Sequence, residues 1–351
     1  MQTHQYTYQT ARNTFLKLAG STGQVESIVH PESGPDGEIA MDIALWGEGE
    51  RVLVISSGTH GIEGYCGSFV QCQLLKEALP ARLPDGMMLM MAHAVNPHGF
   101  AWQRRVNEDN IDLNRNFIDF SGALPVNAGY RTLAEALEPE VWEEDTAPQL
   151  WQRLKSLSAA HENPDRWRQA AMTGGQYEYP HGIFYGGAAP SWSNQQIHRV
   201  TERYLKGREV TWIDIHTALG KYGEAECIVE YEKDHPGLAR AQSLWGKRVF
   251  STRTGESLSA NVAGSMCMGV QKQIGESMLA MGLEYGTVRS SEVLGALIAD
   301  QWLHRYGDLA SPQGQAIKQK MMDAFYPDDP AWREAVMAIA REVVKASGVL
   351  A

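Results

Sequence analysis

A chain of 351 residues with 43% hydrophobic and 21% charged content can bury the core of one large α/β domain or two smaller ones, which excludes a disordered protein. Its net charge of -11 argues against binding to phosphate backbones, which needs a basic surface, so no nucleic-acid partner is expected. The four cysteines, Cys66, Cys72, Cys227 and Cys267, form no C-x-x-C pair, and a zinc ribbon or dithiol redox motif is excluded with it.

Unclustered thiols beside fourteen methionines fit a reducing interior. The amino terminus, M-Q-T-H-Q-Y-T-Y-Q-T-A-R, lacks the basic start and apolar core of a signal peptide. No apolar run approaches the ~20 residues of a membrane span. The expectation is a soluble cytoplasmic protein with no membrane partner, and its oligomeric state is left open.

In chain order, Thr10 to Ala19 reads as a short helix, and Gln24 to His30 and Glu38 to Trp46 as strands separated by the turn formers P-E-S-G-P-D-G. Asp42 interrupts the second strand's apolar pattern and is expected to face solvent. Arg51 opens R-V-L-V-I-S-S-G-T-H-G-I-E-G-Y-C-G-S, whose run Val52 to Ile55 does not alternate and suits a strand buried on both faces. Gly58, Gly61, Gly64 and Gly67 crowd its exit, with His60 and Glu63 between them, and a helix follows to about Leu79. Open α/β sheets place ligands at such turns. The spacing G-x-x-G-x-x-G is not the dinucleotide fingerprint G-x-G-x-x-G, so nucleotide binding ranks low.

Met87 to Ala94 is another interior strand, followed by N-P-H-G-F-A-W-Q-R-R-V-N-E-D-N-I-D-L-N-R-N-F, Asn96 to Phe117. Any one polar residue here is best read as part of a solvated loop. Together they offer more, since Asn114 beside Arg115 presents an amide donor and a guanidinium fork suited to gripping a carboxylate. From Ser121 to about Lys206 the composition changes, with tryptophans at 142, 151, 167 and 192. The stretch from Tyr130 to Ala160 reads as helix divided at Pro139 and Pro148, and Gly174 to Gly187 as a long ordered loop, a lid or pocket wall.

Val210 to His216 restores the strand signal, with Asp214 and His216 on one face and T-A-L-G turning the chain. Cys227 to Tyr231 reads as a strand and Pro236 to Trp245 as a helix opening on proline. Leu279 to Gly286 is a late strand carrying Glu284, a carboxylate that needs solvent or a task. Ser291 to Tyr306, Gly314 to Phe325 and Ala331 to Ala346 read as helices.

Singly, His60, Glu63 and His216 are ordinary residues; a capping carboxylate, a surface imidazole and a satisfied core imidazole would account for them. As a set they are two histidines and one carboxylate, a common ligand set for catalytic zinc with an open position. Asp112 and Asp214 can each hold a histidine's second ring nitrogen. Glu284 can take a proton from a zinc-bound water, and Arg105 or its neighbour Arg104 can stabilise an oxyanion.

H-G-I-E, N-P-H-G-F, R-R before D-L-N-R-N-F, I-D-I-H-T and L-E-Y-G-T occur in an order that resembles the zinc metallocarboxypeptidase superfamily of the carboxypeptidase A type, most closely an uncharacterised bacterial branch with an S-G-T-H-G-x-E-G signature. The resemblance implies one three-layer α/β/α catalytic domain over residues 1–351, with a mixed, largely parallel central sheet and a Trp-rich insertion or cap at about 121–206. By the same resemblance His60, Glu63 and His216 hold one Zn2+, Asp112 orients the first histidine, Asn114 and Arg115 bind the substrate's terminal carboxylate, and Glu284 and Arg105 are catalytic. A second metal is left open because His93 and His98 lie near the polar motif, and nickel or cobalt fits the same ligands.

The implied function is hydrolysis of an amide or peptide bond next to a free carboxylate in a small peptide. An N-acyl amino acid deacylase using the same site is the alternative, and a non-catalytic binding protein on a peptidase scaffold is the alternative of another class. Two departures bear on substrate choice. The usual N-P-D-G reads N-P-H-G, and no tyrosine lies between Tyr231 and Glu284 to serve as the mobile tyrosine of digestive carboxypeptidases.

Overall fold

The computed structural model describes residues 6–349. Residues 1–5, within the stretch read above for a signal peptide, and residues 350–351 lie outside the described residues. Helix α1 (Tyr8–Gly20) is followed by strands β1 (Gln24–Gly34), β2 (Gly37–Trp46) and β3 (Arg51–Ser57). Then come α2 (Gly64–Lys76), β4 (Met87–His93), the single turn α3 (Pro97–Ala101), and helices α4 (Ala128–Leu137), α5 (Thr146–Ser158), α6 (Pro164–Thr173) and α7 (Trp192–Tyr204). The remainder runs β5 (Glu209–Tyr222), β6 (Ala225–Val229), α8 (Pro236–Trp245), β7 (Val249–Ser251), α9 (Met266–Ile274), β8 (Met278–Gly286), α10 (Ser290–Tyr306), α11 (Pro312–Phe325) and α12 (Pro330–Val344).

The strands form one mixed eight-stranded sheet in the order β1-β2-β4-β3-β5-β8-β6-β7. Its centre, β4-β3-β5-β8, is parallel, and β2 and β6 join it antiparallel. The continuous apolar run in β3 follows from its central place. Leu53 and Ile55 pack into a core shared with α1, α2, α8 and α10 to α12, while Val52 and Val54 pack with α7 and α9 on the opposite face. Each of these side chains is 0–1% exposed, so each contributes roughly 1.5–3 kcal/mol of burial. The architecture is therefore helices on both faces of a sheet, as a three-layer α/β/α reading requires.

Four local expectations need correction. Asp42 is fully buried, because Arg12 on α1 reaches across to it through Nε and Nη2 at 2.9 and 3.2 Å and Ser27 Oγ donates at 2.5 Å. Pro148 does not divide a helix; it sits in the first turn of α5, where its missing N–H has no partner to lose. T-A-L-G does not end β5, which continues to Tyr222 through an irregularity in its pairing with β8 between Ala218 and Tyr222. Finally, α6, α7, α9 and β7 were not among the expected elements.

The parallel centre delivers the polar residues to one edge. The carboxyl end of β3 leads into the His60–Glu63 turn, and β5 and β8 pair in register so that His216 lies beside Glu284.

Candidate metal centre and its pocket

The H-G-I-E turn is held by its neighbours in sequence motif and in space. Gly58 has φ +69°, a left-handed conformation that favours glycine. At Gly61 a side chain is impossible, since a Cβ would lie 2.0 Å from the carbonyl carbon of Gly99 in N-P-H-G. Gly61 N and Ile62 N then donate to the carbonyls of Arg105 and Arg104 at 3.1 and 2.7 Å. The first motif is thus stitched to the arginine motif by backbone bonds that no side-chain pattern reveals.

His60, Glu63 and His216 converge, offering ligand atoms within 4.8 Å of one another, and all three are buried. His60 Nδ1 lies 2.9 Å from Glu63 Oε1, and His216 Nδ1 lies 2.9 Å from Glu63 Oε2. The opposite ring nitrogens are held from behind: His60 Nε2 is 3.1 Å from Asp112 Oδ1, and His216 Nε2 is 2.6 Å from Asp214 Oδ2. Asp214 is fixed in turn by Ser56 Oγ and Thr59 Oγ1 at 2.6 and 2.9 Å. Asp112 accepts from Asn114 N at 2.9 Å and Arg105 Nε at 3.0 Å.

This arrangement fits a bound cation. In neutral imidazoles whose Nε2 protons are directed at Asp112 and Asp214, both Nδ1 lone pairs face a carboxylate and acceptors meet acceptors, an arrangement that a cation resolves. His60 Nδ1 is fully buried and makes no hydrogen bond of acceptable geometry. Two imidazole nitrogens and one carboxylate are the donor types of a catalytic zinc site. His93 and His98 do not join them. His93 is 2.9 Å from Ser68 Oγ and stacks on Phe15, and His98 Nε2 lies 3.7 Å from Glu32 Oε2, so among the described residues this is the one group of such ligands.

The electrostatics follow from burial and charge. Burial alone would raise Glu63, but His60 and His216 outweigh it and hold its carboxyl below the usual range. Burial opposes charge on His216 as well, yet Asp214 and Glu63 push its pKa well up. Asp112, despite burial, is held well below the normal value by Arg105 and His60. Glu284 goes the other way: burial, then the negative charge of Glu63, raise it to about 7. Its Oε1 accepts the Leu219 N–H at 2.8 Å, a donor freed by the irregular pairing in β5.

Arg105 and Arg104, indistinguishable in sequence, separate here. Arg105 lines the cavity and donates through Nη1 to Glu63 Oε1 at 3.0 Å. Arg104 turns away to Asp300, Asn110 and Gln301. Asn114 and Arg115 also line the cavity. Asn114 Oδ1 is occupied by Met266 N at 2.9 Å, leaving the amide to donate, and Arg115 is docked on the carbonyls of Thr173 and Asn114.

The cavity encloses about 640 Å³. The segment 121–206 forms part of its wall through Trp151, Arg168, Gln169 and Thr173, and Gln169 Nε2 reaches across to Leu258 O on the opposite loop. Phe184, from G-I-F-Y-G-G, stands between the two site arginines, its ring centre 5.2 Å from Arg105 Cζ and 5.6 Å from Arg115 Cζ. Phe184 and the Leu219 N–H were missed from sequence. The glycines flanking Phe184 were a usable signal, whereas nothing marked the second.

The chain belongs to the family described as protein of unknown function (DUF2817), whose model matches residues 4–339. No curated protein matches it. Solved structures with which it aligns include a succinylglutamate desuccinylase/aspartoacylase from Rhodobacter sphaeroides, at 15% identity, 94% of this chain, 67% of that chain and a TM-score of 0.44. Bovine thrombin-activatable fibrinolysis inhibitor, in complex with tick carboxypeptidase inhibitor, aligns at 14% identity, 97% of each chain and a TM-score of 0.49. A metallo-carboxypeptidase from Burkholderia cenocepacia aligns at 11% identity, 95% of this chain, 68% of that chain and a TM-score of 0.45. No helix among the described residues is long and apolar enough to cross a membrane.

Proposed function

We propose that this protein is a metal-dependent hydrolase, with zinc in the His60, Glu63, His216 site, that cleaves an amide bond next to a free carboxylate. The observation that carries this reading is the meeting of both Nδ1 atoms on Glu63, within one cavity that also holds Glu284, Arg105, Asn114 and Arg115.

A divalent ion held there supplies a Lewis acid for the substrate carbonyl and acidifies water toward a pKa of ~7. The chain's own residues do the rest. Asn114 and Arg115 hold the substrate's carboxylate and so set the scissile bond in place. Glu284, with a pKa near neutrality, accepts a proton from the attacking water and returns it to the leaving nitrogen. Arg105 donates to the developing oxyanion while Asp112 and Asp214 fix the histidine tautomers.

Segment 121–206 acts in this reading as a cap on a single catalytic unit. Because α6 and the loop around Leu258 bridge the cavity, short substrates are favoured, and N-acyl amino acids join short peptides as candidates. Glu284→Gln is expected to keep the metal, measured by elemental analysis, and to lose ~10²–10⁴-fold in kcat on a panel of dipeptides and N-acyl amino acids. A fully active variant would overturn the assignment of the base, and the panel separates peptidase from deacylase.

A further inference from the structure

One stretch of chain, 173–187, builds the surroundings of Arg115. The arginine's Nε and Nη2 donate to Thr173 O at 3.0 and 2.5 Å, and its Nη1 donates to Asn114 O at 2.9 Å, which leaves two of the five N–H groups for a ligand. Gly175 presses so close that a Cβ there would lie 2.8 Å from Arg115 Cδ, and Tyr177 Oη donates to Arg115 O at 2.6 Å. The stem and main chain of the arginine are thus held.

Its charge is met differently. Arg105 faces two carboxylates, Glu63 Oε1 and Asp112 Oδ2, each at 3.0 Å, whereas no carboxylate among the described residues forms a salt bridge with Arg115. Arg115 is 5% exposed, and burial lowers its pKa from the ordinary value, with the Arg105 charge acting the same way against the pull of Asp112. What the chain offers this cation, beyond two carbonyls, is the ring of Phe184. The ring centre lies 5.6 Å from Arg115 Cζ and 5.2 Å from Arg105 Cζ, both inside the roughly 6 Å range of a cation–π contact.

The backbone beneath that ring is strained. Phe184 has φ +57°, and it is the one aromatic side chain with positive φ among the described residues. The strain persists because the main chain on either side is tied down. Phe184 O accepts Gln176 N at 3.1 Å, Gly186 N donates to Gln176 O at 2.8 Å, and Tyr185 O accepts Asp112 N at 2.8 Å. The last bond fastens the ring's carrier to the aspartate that holds both His60 and Arg105. Glycine, which would relieve the strain, stands at 182, 186 and 187 and not at 184. A π face between two like charges is what the site gains from a phenylalanine there.

We propose that Phe184 is a positioning residue, whose ring fixes the spacing of Arg105 and Arg115 so that one donates to the oxyanion while the other takes the substrate's carboxylate. This rests on the reading of those two arginines as parts of a hydrolase site, and it adds the group that orders them. Without the ring, both guanidiniums would have to be ordered on binding, at a cost in affinity.

The test is calorimetric titration of the zinc-loaded protein with levulinate, the ketone in which a methylene replaces the amide nitrogen of N-acetylglycine. It presents a carbonyl and a carboxylate at substrate spacing with no bond to cleave. Phe184→Leu stays apolar but has no π face and should weaken binding ~5- to 30-fold, while Phe184→Tyr should stay within about 3-fold of the parent. Phenylalanines carrying one, two or three ring fluorines at position 184 keep the shape and drain the π face. Binding should weaken in step with the fluorine count, which packing alone would not produce, and this series decides the matter even if Phe184→Leu does not fold. Arg115→Gln should lose binding by at least ~10-fold, as a charge-assisted hydrogen bond implies. If fluorination leaves the affinity unchanged, the positioning proposal falls and the carboxylate grip stands. If the parent does not bind levulinate, or Arg115→Gln binds it equally well, the grip itself fails and the proposal falls with it.

Discussion

Two clusters of buried charge meet at the Arg104–Arg105 pair, and they solve the same problem differently. In the first, Asp300 accepts from Arg104 Nε at 3.2 Å and from Lys318 Nζ. Lys318 also donates to Trp102 O at 2.8 Å and lies 2.7 Å from His304 Nε2. Every acceptor there faces a cation or donor that the chain itself supplies. In the second, two imidazole nitrogens and Arg105 Nη1 crowd onto the single carboxylate of Glu63, and His60 Nδ1 is left without a hydrogen bond. The first cluster is closed, and an ion has no place in it. The second is open toward a cavity. Buried carboxylates and histidines therefore do not mark a metal centre by themselves; acceptors turned toward one another do.

The largest expected effect follows from removing the carboxylate at the centre of the open cluster. Loss of an outer-shell partner alone weakens metal binding ~10–100-fold, so Glu63→Gln, which removes a proposed ligand, should weaken it by more than ~100-fold. Elemental analysis and competitive titration should give one ion per chain in the parent and none in the variant under the same conditions. Equal metal content in both would show that Glu63 holds no ion and would remove the contrast drawn between the two clusters.

The closed cluster should respond through stability instead. Asp300→Asn leaves Lys318 and Arg104 as buried cations without their carboxylate, a loss of about 3–5 kcal/mol. Urea unfolding reads this directly. The folded fraction should still bind one ion, because no residue of the open cluster has changed. If Asp300→Asn loses metal in the folded state, the separation drawn between the clusters is wrong.

Much of this was legible in the sequence where a pattern is local. The run Val52 to Ile55 announced a central strand, and alternation in V-T-W-I-D-I-H placed Asp214 on the face of His216, where it bonds the ring. H-x-x-E and D-L-N-R were recognisable as spaced groups. What failed depended on contacts distant in sequence or on backbone conformation. Asp42 is buried because its cation lies thirty residues earlier on α1. Arg104 and Arg105 part company after Gln103, whose φ of +51° turns the chain in a way no side-chain pattern encodes. Helices α6 and α7 are polar enough to hide their periodicity, and their start signals, Asn163 with Pro164 and Ser191, were the better clue; each side chain accepts from a first-turn N–H.

The smallest expected effect concerns the protonation of the closed cluster. His304, with a side chain 17% exposed, has its pKa lowered to about 3 by burial and by the Arg104 and Lys318 charges, against the pull of Asp300. The unfolded chain takes up that proton near pH 6.5, so the contribution to stability is complete above about 6.5 and is lost as pH falls toward about 3. Between pH 7 and pH 5 the loss is roughly 2 kcal/mol for this one group. The measurement belongs on chelated protein, where proton competition for the metal does not intrude. There His216, with its raised pKa, loses stability as pH rises through about 6.5, the opposite sign, and does so alike in the parent and in a variant of His304. His304→Gln keeps an acceptor for Lys318 and removes the titration, so its urea midpoint should fall less between pH 7 and pH 5 than that of the parent. Equal slopes would mean that His304 already carries a proton, and that the closed cluster is less well balanced than its geometry indicates.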